Sequence, residues 1–269
     1  IQHYQRQQKK QSIMGRELTR EQINGMVSAM RTKGMLHRVA RYNMDISTED
    51  GLRVIEALGR DIIPTFRLDV DNRWTYTQLV RWLLGDTTME AQNPTQPRAK
   101  VRGVLTKGIY LAGKTGTGKS TALTLLSALA EALNVQISID YDVRPMAWQE
   151  VRTDDVVDEF RRSGTYCKRI SKIGRSVDFR HEQILCLQDL GTEPLESNYM
   201  GNKTNPVQSV LEARGDDLAT VTLIRSNIPL GHEALAEGYG DRVQSRLCGM
   251  CNYLTLGGGD RRMETTKVV

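Results

Sequence analysis

The chain has 269 residues, enough for one large or two modest domains with hydrophobic cores. Apolar residues make up 39% and charged residues 26% of it, which is ordinary for a globular protein in water. No apolar run approaches the ~18 residues of a membrane span and no secretory signal is visible, so we expect a cytoplasmic protein with four reduced cysteines and no membrane partner. The net charge of +5 favours an anionic partner.

The first part of the chain is predicted to be helical and basic. Residues 1–40 hold eight lysines and arginines against two glutamates, which suits either a solvated helix face or an acidic partner. Apolar residues recur at helical spacing in three stretches: Ile23, Met26, Val27 and Met30; Leu52, Ile55 and Leu58; and Tyr76, Leu79, Val80 and Leu83. The polar residues 86–100, with two prolines, are the best linker candidate. We therefore predict a partner-binding region over residues 1–98, linker included, and a second domain over residues 99–269.

Beyond the linker, short apolar strands alternate with helices. The strand candidates are residues 108–113, 135–141, 184–190, 220–226 and 251–257. A helix is predicted over residues 119–133, because its apolar residues share one face. Nearly continuous apolar strands with helical connections predict an α/β fold, in which a five-stranded parallel sheet is covered on both faces.

The first of these strands runs into GKTGTGKS, residues 113–120, which fits the phosphate-binding pattern G-x-x-x-x-G-K-[ST]. Glycines let the backbone bend so that N–H groups point at phosphate oxygens, and the following helix adds the positive end of its dipole. Lys119 is placed to reach the β- and γ-phosphates, and Ser120 to ligate Mg²⁺. We predict that ATP and Mg²⁺ bind through the residues Gly113, Lys114, Thr115, Gly116, Thr117, Gly118, Lys119, Ser120 and Thr121.

A P-loop hydrolase also needs an acid on a neighbouring strand to hold the Mg²⁺ shell and an acid to orient the attacking water. The stretch ILCLQDLGTEP, residues 184–194, is the only apolar strand after the loop that ends in an acid followed by a turn. Such strands usually end in two acids, whereas here Gln188 precedes Asp189. We take this strand as the second element of the site.

Five stretches, in this order and spacing, resemble the AAA+ ATPases of the DnaC-type helicase-loader family, which is close to the IstB-type transposition ATPases. They are GIYLAGKTGTGKST, ILCLQDLGTEP, TLIRSNIP, YGDRVQSRL and GGGDRR, and the resemblance covers roughly residues 104–262. It implies an AAA+ P-loop ATPase fold with little or no helical lid, preceded by a mainly helical region that binds a partner.

By position, the resemblance implies that Gln188 and Asp189 occupy the two Walker B places, with Ser120 and Asp189 as Mg²⁺ ligands. A neutral amide can accept a hydrogen bond from metal-bound water, but it adds no charge. Alternatively, the alignment is shifted by one residue. Asp189 is then the Mg²⁺ acid and Leu190 occupies the position of the catalytic base, while Glu193 is too far along the chain to replace it. In both alignments we expect intact ATP binding and weak hydrolysis.

The same resemblance implies three further roles. Asn227 matches the sensor-one residue, which contacts the γ-phosphate or the attacking water. Arg246 matches the arginine finger that acts on the nucleotide of an adjacent subunit, and Arg242, one helical turn earlier, is a second candidate. Arg261 or Arg262 matches the sensor-two arginine. Because a finger in trans is useful only in an assembly, the resemblance implies a homo-oligomer.

About 40 residues separate the second predicted strand from the Walker B strand, more than a plain crossover needs. They contain DDVVDEFRRSG, predicted to be a helix, and the basic stretch YCKRISKIGRSVDFR. In initiator and loader ATPases, an extra helical element here lines the DNA channel. The hypothesis is contact with single-stranded DNA, and the alternative is a solvated helix face. The candidate DNA-binding residues are Lys168, Arg169, Lys172 and Arg175.

Three functions are compatible with these features. The first is an ATP-dependent, oligomeric AAA+ ATPase that binds single-stranded DNA and loads a replicative helicase. The alternative is an IstB-like transposition ATPase, which binds duplex DNA and recruits a transposase. The third is a nucleotide-gated scaffold that binds ATP but barely turns it over. We favour the first, because DLGTEP and the lid-poor carboxyl end are closer to it.

Overall fold

The computed structural model describes residues 18–32, 39–42, 44–170 and 175–261. The chain divides into two compact units, residues 1–37 and residues 38–269. In the first unit the described element is helix α1 (Arg20–Thr32). Its side chains Ile23, Met26 and Met30 are exposed to 46%, 54% and 38%. The first predicted apolar stripe therefore lies in a helix, and three of its four side chains are exposed.

The second unit contains seven helices and fourteen strands among its described residues. The helices are α2 (Thr48–Ile62), α3 (Arg73–Leu84), α4 (Lys119–Ala132), α5 (Thr153–Ser163), α6 (Pro206–Asp216), α7 (Glu233–Tyr239) and α8 (Asp241–Met250). The strands are β1 (Val39–Arg41), β2 (Glu90–Gln92), β3 (Lys100–Arg102), β4 (Gly108–Ala112), β5 (Gln136–Ile139), β6 (Asp142–Pro145), β7 (Gln149–Arg152), β8 (Cys167–Ile170), β9 (Arg175–Asp178), β10 (Ile184–Leu190), β11 (Ser197–Tyr199), β12 (Asn202–Thr204), β13 (Val221–Ser226) and β14 (Cys251–Thr255). In the described part of the chain, no helix is both long enough and apolar enough to cross a membrane.

The main sheet has seven strands in the order β3-β2-β14-β4-β13-β10-β7. The five strands from β14 to β7 are parallel, and β2 and β3 are antiparallel additions at the edge beside β14. Strands β4 and β13 are buried at every position, as expected for parallel strands covered by helices on both faces. The predicted α/β fold with five parallel strands is confirmed.

One strand of the predicted sheet lies elsewhere. Strand β5, from the segment 135–141, pairs antiparallel with β1 and β6 in a separate three-stranded sheet. The fifth parallel strand is β7 instead, which pairs with β10. Its sequence QEVR gives no strand signal, because β7 is an edge strand that buries only the Val151 side chain. The assignment of residues 135–141 to the parallel sheet was therefore wrong.

Residues 86–100, predicted to be a linker, belong to the second unit. Strands β2 and β3 extend the main sheet, with Gln92 opposite Tyr253, and Met89 is buried. Helices α2 and α3 share a hydrophobic core with α4, because their apolar stripes face that helix. The predicted domain boundary at residue 98 therefore falls inside the unit that carries the glycine-rich loop, and the two compact units divide after residue 37.

Candidate nucleotide-binding site

The glycine-rich loop joins β4 to α4 at the carboxyl edge of the parallel sheet. Gly116 and Gly118 have φ of 82° and 94°, in the left-handed region that favours glycine. A Cβ on Gly113 would lie 2.7 Å from a backbone oxygen, and one on Gly116 would lie 2.1 Å from the Asp260 carboxyl group. Helix α4 begins directly after Gly118, so its amino end and the loop N–H groups meet in one place, the arrangement that binds phosphate.

A cavity of about 450 Å³ opens against this loop. One wall is formed by the loop and the first turn of α4, residues 115–121. A second is formed by six residues of the segment 63–76, namely Ile63, Thr65, Phe66, Arg67, Asn72 and Tyr76. Asp189, Asn227 and Arg261 complete the lining. The structure thus brings the loop together with three candidate residues from distant parts of the chain.

The Lys119 side chain connects the loop to the predicted sensor residue. Its Nζ donates hydrogen bonds to the carbonyl oxygens of Gly113 (2.6 Å) and Lys114 (2.9 Å) and to Oδ1 of Asn227 (2.7 Å). These bonds hold the ammonium group at the edge of the loop, where the oxygens of a bound phosphate chain would be within its reach.

The two Walker B candidates point to different places. Asp189, with φ of 61°, lines the cavity, and its Oδ1 lies 3.7 Å from Nη2 of Arg225. Gln188 is not part of the lining, and its Nε2 donates a hydrogen bond to Oε2 of Glu150 on the neighbouring strand β7. Asp189 is therefore the acid that faces the cavity, while the Gln188 amide nitrogen is turned towards the sheet edge.

Glu193, the other acid of this stretch, has structural partners. It is buried, its Oε2 accepts a hydrogen bond from the Gly191 N–H (2.9 Å), and its Oε1 accepts one from the Tyr239 hydroxyl. Burial and the Glu193 charge raise the pKa of Tyr239, so this hydroxyl remains a donor. Leu190, the base position of the shifted alignment, is fully buried in the core. Neither Glu193 nor Leu190 lines the cavity.

Arg261 connects the loop to the segment of residues 63–76. Its backbone N–H donates to the carbonyl oxygen of Gly116 (3.0 Å), and its guanidinium makes two hydrogen bonds to the Asp69 carboxylate (2.8 and 3.0 Å). The hydrogen bond from Arg261 is the main cause that lowers the pKa of Asp69. Arg262, the other sensor-two candidate, lies outside the described residues.

The two arginine-finger candidates lie on α8 and do not line the cavity of their own chain. Arg246 packs against Gly215 of α6 and donates a hydrogen bond to Asp216. Arg242 is exposed and makes no ion pair with any residue that the structure describes. Arg242 is therefore the more accessible of the two.

The basic stretch after α5 is a β-hairpin, formed by β8 and β9, and not the helical element that the resemblance suggested. The helix predicted from DDVVDEFRRSG is present as α5. Arg169 belongs to β8, and Lys172 lies outside the described residues. The extended conformation follows from the pairing of β8 with β9. The charge pattern of the sequence does not predict this pairing.

Two of the candidate DNA-binding cations are engaged with acids. Nζ of Lys168 lies 2.7 Å from Oδ1 of Asp155, and Arg175 makes two hydrogen bonds to Glu182 (2.7 and 2.9 Å). The partner carboxylate raises the pKa of Arg175. The Lys168–Asp155 pair lies at the surface, where such ion pairs contribute about 0–1 kcal/mol, whereas the Glu182 side chain of the second pair is only 13% exposed.

Three parts of the site were missed by the sequence analysis. The wall of residues 63–76 brings Phe66 and Tyr76 to the cavity, with their rings packed edge to face at 5.8 Å. Glu150 meets Gln188, and Arg225 meets Asp189. A signal existed only for Arg225, because a charged residue inside the apolar strand TLIRSNIP is unusual.

A glycine-rich loop between a central parallel strand and a helix, with lysine, serine, aspartate and asparagine around one cavity, is the arrangement expected of a P-loop fold. The phosphate-binding loop predicted from the sequence thus occupies the position in the fold that its chemistry requires.

Three solved structures are distantly similar to the chain. A protein from Streptococcus pyogenes serotype M3 described as a primosome component is 18% identical, with a TM-score of 0.44 over 72% of this chain and 84% of that one. The DnaC helicase loader is 16% identical, with a TM-score of 0.44 over 73% and 96%. AMPPCP-bound DnaA from Aquifex aeolicus is 17% identical, with a TM-score of 0.42 over 75% and 52%. No protein-family model and no curated protein matches the sequence.

Proposed function

We propose that the protein is an AAA+-type ATPase that binds ATP and hydrolyses it slowly. The observation that carries this proposal is the cavity in which the glycine-rich loop, Lys119, Asp189 and Asn227 meet. The loop N–H groups and the amino end of α4 supply the positive potential that a triphosphate needs. The wall of residues 63–76 bounds the space beyond the loop, where the nucleoside would lie.

Ser120 and Asp189 are the residues that would hold Mg²⁺. Both line the cavity, and both offer oxygen, the ligand type that Mg²⁺ prefers. Among the described residues, no three histidine, cysteine, aspartate or glutamate side chains form a metal site. Phosphate and water would therefore supply most of the ligands. The bound ion would supply neutralisation of the charge that develops during phosphoryl transfer.

Slow hydrolysis is expected because, of the residues of strand β10, Asp189 alone lines the cavity. The Gln188 amide is bonded to Glu150, and Glu193 is buried against Tyr239. Asp189 would therefore serve both the metal shell and the attacking water, and its side chain is one methylene shorter than the glutamate usual at the second place.

The test is to measure ATP binding and turnover on the same preparation of the full chain. A fluorescent ATP analogue reports affinity, and phosphate release reports hydrolysis. We expect saturable binding and a turnover below about 1 s⁻¹, the low end for enzymes. Failure to bind ATP would contradict the proposal, and rapid turnover would contradict its hydrolytic part.

We further propose a homo-oligomer in which Arg242 or Arg246 reaches the nucleotide of the adjacent subunit. The support is the position of both residues on α8, outside the cavity lining of their own chain. A finger stabilises the transition-state charge only when subunits are joined. Mass photometry with and without ATP tests this. Larger species in ATP are expected, and a monomer under both conditions would contradict it.

The finer function that we propose is loading of a replicative helicase onto single-stranded DNA. It is supported by the order and spacing of the five sequence motifs and by the basic first unit. The exposed side chains of Ile23, Met26 and Met30 form an apolar stripe on α1. Such a stripe on a helix suits docking into a groove of a partner protein.

A pull-down with the full chain tests the partner. A replicative helicase that is retained by the unaltered chain and lost from the Ile23→Glu/Met26→Glu double variant supports loading. Leu218→Glu is the matched control, because Leu218 is an exposed apolar residue (74%) of the second unit. Retention of a transposase instead would favour the transposition ATPase.

Single-stranded DNA binding is proposed for the β8–β9 hairpin. The surface ion pair of Lys168 with Asp155 can be exchanged for a phosphate contact at small cost, since such a pair contributes about 0–1 kcal/mol. Reversing the charges of Lys168, Arg169 and Lys172 should weaken binding and reduce its salt dependence, with Lys203→Glu on another hairpin as control. An unchanged affinity and salt slope would exclude this surface.

A further inference from the structure

We propose that Arg225 is a positioning residue that makes ATP binding by this protein nearly independent of Mg²⁺, because it neutralises the acid that the metal ion would otherwise neutralise. The inference rests on the proposed function, since it assumes that ATP binds in the cavity.

Arg225 lies where the main sheet opens onto the nucleotide site. It belongs to β13, two residues before Asn227, and is paired with Leu111 of the strand that leads into the glycine-rich loop. On the other side, the register between β10 and β13 shifts over Leu187 to Leu190. Asp189 adopts its positive φ within this irregular step. The irregularity therefore places Asp189 beside Arg225.

The guanidinium of Arg225 is buried and incompletely satisfied. The residue is 6% exposed, and its Nε is buried with no hydrogen-bond partner. In the described ranges, its one ion pair is with Asp189 at 3.7 Å, which is longer than a hydrogen bond. Burying a cation with an unfilled donor costs free energy, and the nearby Asp189 carboxylate offsets part of this cost.

The positioning role of Arg225 follows from the charge balance at the strand ends. An acid beside a bound triphosphate repels it, and Mg²⁺ normally relieves this repulsion by lying between them. Here Gln188 is neutral, and the formal charges of Asp189 and Arg225 cancel. The end of β10, with its partner Arg225, thus contributes no net negative charge next to the phosphates. When Mg²⁺ is removed, no uncompensated acid is left facing the nucleotide.

The test measures the affinity of the full chain for a fluorescent ATP analogue, in Mg²⁺ and in excess EDTA. For the unaltered protein we expect the affinity to fall less than about threefold when Mg²⁺ is removed. For Arg225→Met, the fall should exceed about tenfold, the typical scale of losing one close charge partner. In Mg²⁺ the variant should bind ATP nearly as well as the unaltered protein.

Three variants complete the experiment. Arg225→Lys keeps the charge and should keep the small Mg²⁺ effect. Gln188→Asp adds an uncompensated acid and should enlarge it, which tests the idea even if Arg225→Met does not fold. Arg53→Met removes an exposed charge that is paired with Asp50 on α2 and should change nothing.

Two results would overturn the inference while leaving ATP binding intact. One is a loss of affinity of about tenfold or more when Mg²⁺ is removed from the unaltered protein. The other is an equal loss for Arg225→Met in Mg²⁺ and in EDTA, which would indicate a purely structural role. If the unaltered protein binds no ATP under either condition, the proposed function fails and the inference fails with it.

Discussion

The cavity has a loop side, formed by the glycine-rich loop, and a strand-end side, at the ends of β10 and β13. The two sides match the sequence motifs of P-loop ATPases to different degrees. On the loop side, every position that phosphate binding requires is present, and the glycines adopt the backbone conformations that only they tolerate well. On the strand-end side, Asp189 lines the cavity, whereas Gln188 is bonded to Glu150, Glu193 is bonded to Tyr239, and Arg225 lies beside Asp189. For the proposed ATPase, this difference predicts that nucleotide binding depends on the loop side and hydrolysis on the strand-end side.

The loop side is tested most strongly by Lys119→Ala. Removing the ammonium group should weaken ATP binding by about a hundredfold or more, because a charge-assisted contact to phosphate is lost. Equilibrium titration with a fluorescent ATP analogue measures this. Lys203→Ala, at an exposed position of β12, is the matched control. Unchanged affinity would mean that the loop does not hold the phosphates.

The rate of hydrolysis is expected to depend on an arginine from a neighbouring subunit. Arg242→Ala or Arg246→Ala should lower turnover by about tenfold to a hundredfold and leave ATP affinity intact. This is less than such fingers usually contribute, because the neutral Gln188 already limits the step. Mixing each variant with Lys119→Ala subunits and measuring phosphate release distinguishes action in trans from action in cis. No recovery of turnover in the mixture would contradict action in trans.

The contact between Glu193 and Tyr239 is expected to stabilise the fold without taking part in hydrolysis. Tyr239→Phe should lower the free energy of unfolding by about 1–3 kcal/mol, because a buried carboxylate loses its donor. Turnover of the folded fraction should not change. Urea unfolding followed by circular dichroism measures the first quantity, with Tyr141→Phe at an exposed position as control. A large loss of turnover at unchanged stability would assign Glu193 to the chemistry instead.

The smallest effect is expected at Asp69, which is connected to the loop side through Arg261. Asp69→Asn should release Arg261 towards the phosphates and raise ATP affinity by up to about fivefold, the scale of a partly exposed ion pair. The asparagine can still accept the hydrogen bonds from the backbone N–H groups of Asp71 and Asn72. The same titration measures the effect, with Asp50→Asn as control. A weaker affinity would show that the Asp69 pair helps binding.

The sequence was sufficient to predict those features whose pattern lies within one short segment. Helical stripes, apolar strands and the spacing from Gly113 to Ser120 each lie within one short segment, so periodicity and glycine positions reveal them. The α/β fold with five parallel strands follows from these segments and is confirmed. The placement of Asp189 and Asn227 at one cavity also follows, since the carboxyl ends of parallel strands meet at one edge.

The remaining features depend on contacts between distant segments. Strand β7 has no apolar pattern, because an edge strand needs few buried side chains, so β5 was placed in the sheet instead. The cavity wall of residues 63–76 has no motif of its own. The closeness of Arg225 and Asp189 arises from a shift in register between two strands, which no single segment encodes.

The proposal that Gln188 limits hydrolysis in a site that binds ATP is tested by Gln188→Asp. Phosphate release and ATP affinity are measured for this variant, with Gln183→Asp, placed just before the same strand, as the matched control. The account predicts that turnover rises by at least about tenfold, equal to ~1.4 kcal/mol of activation free energy, with saturable ATP binding retained. Unchanged turnover in a variant that still binds ATP would contradict it.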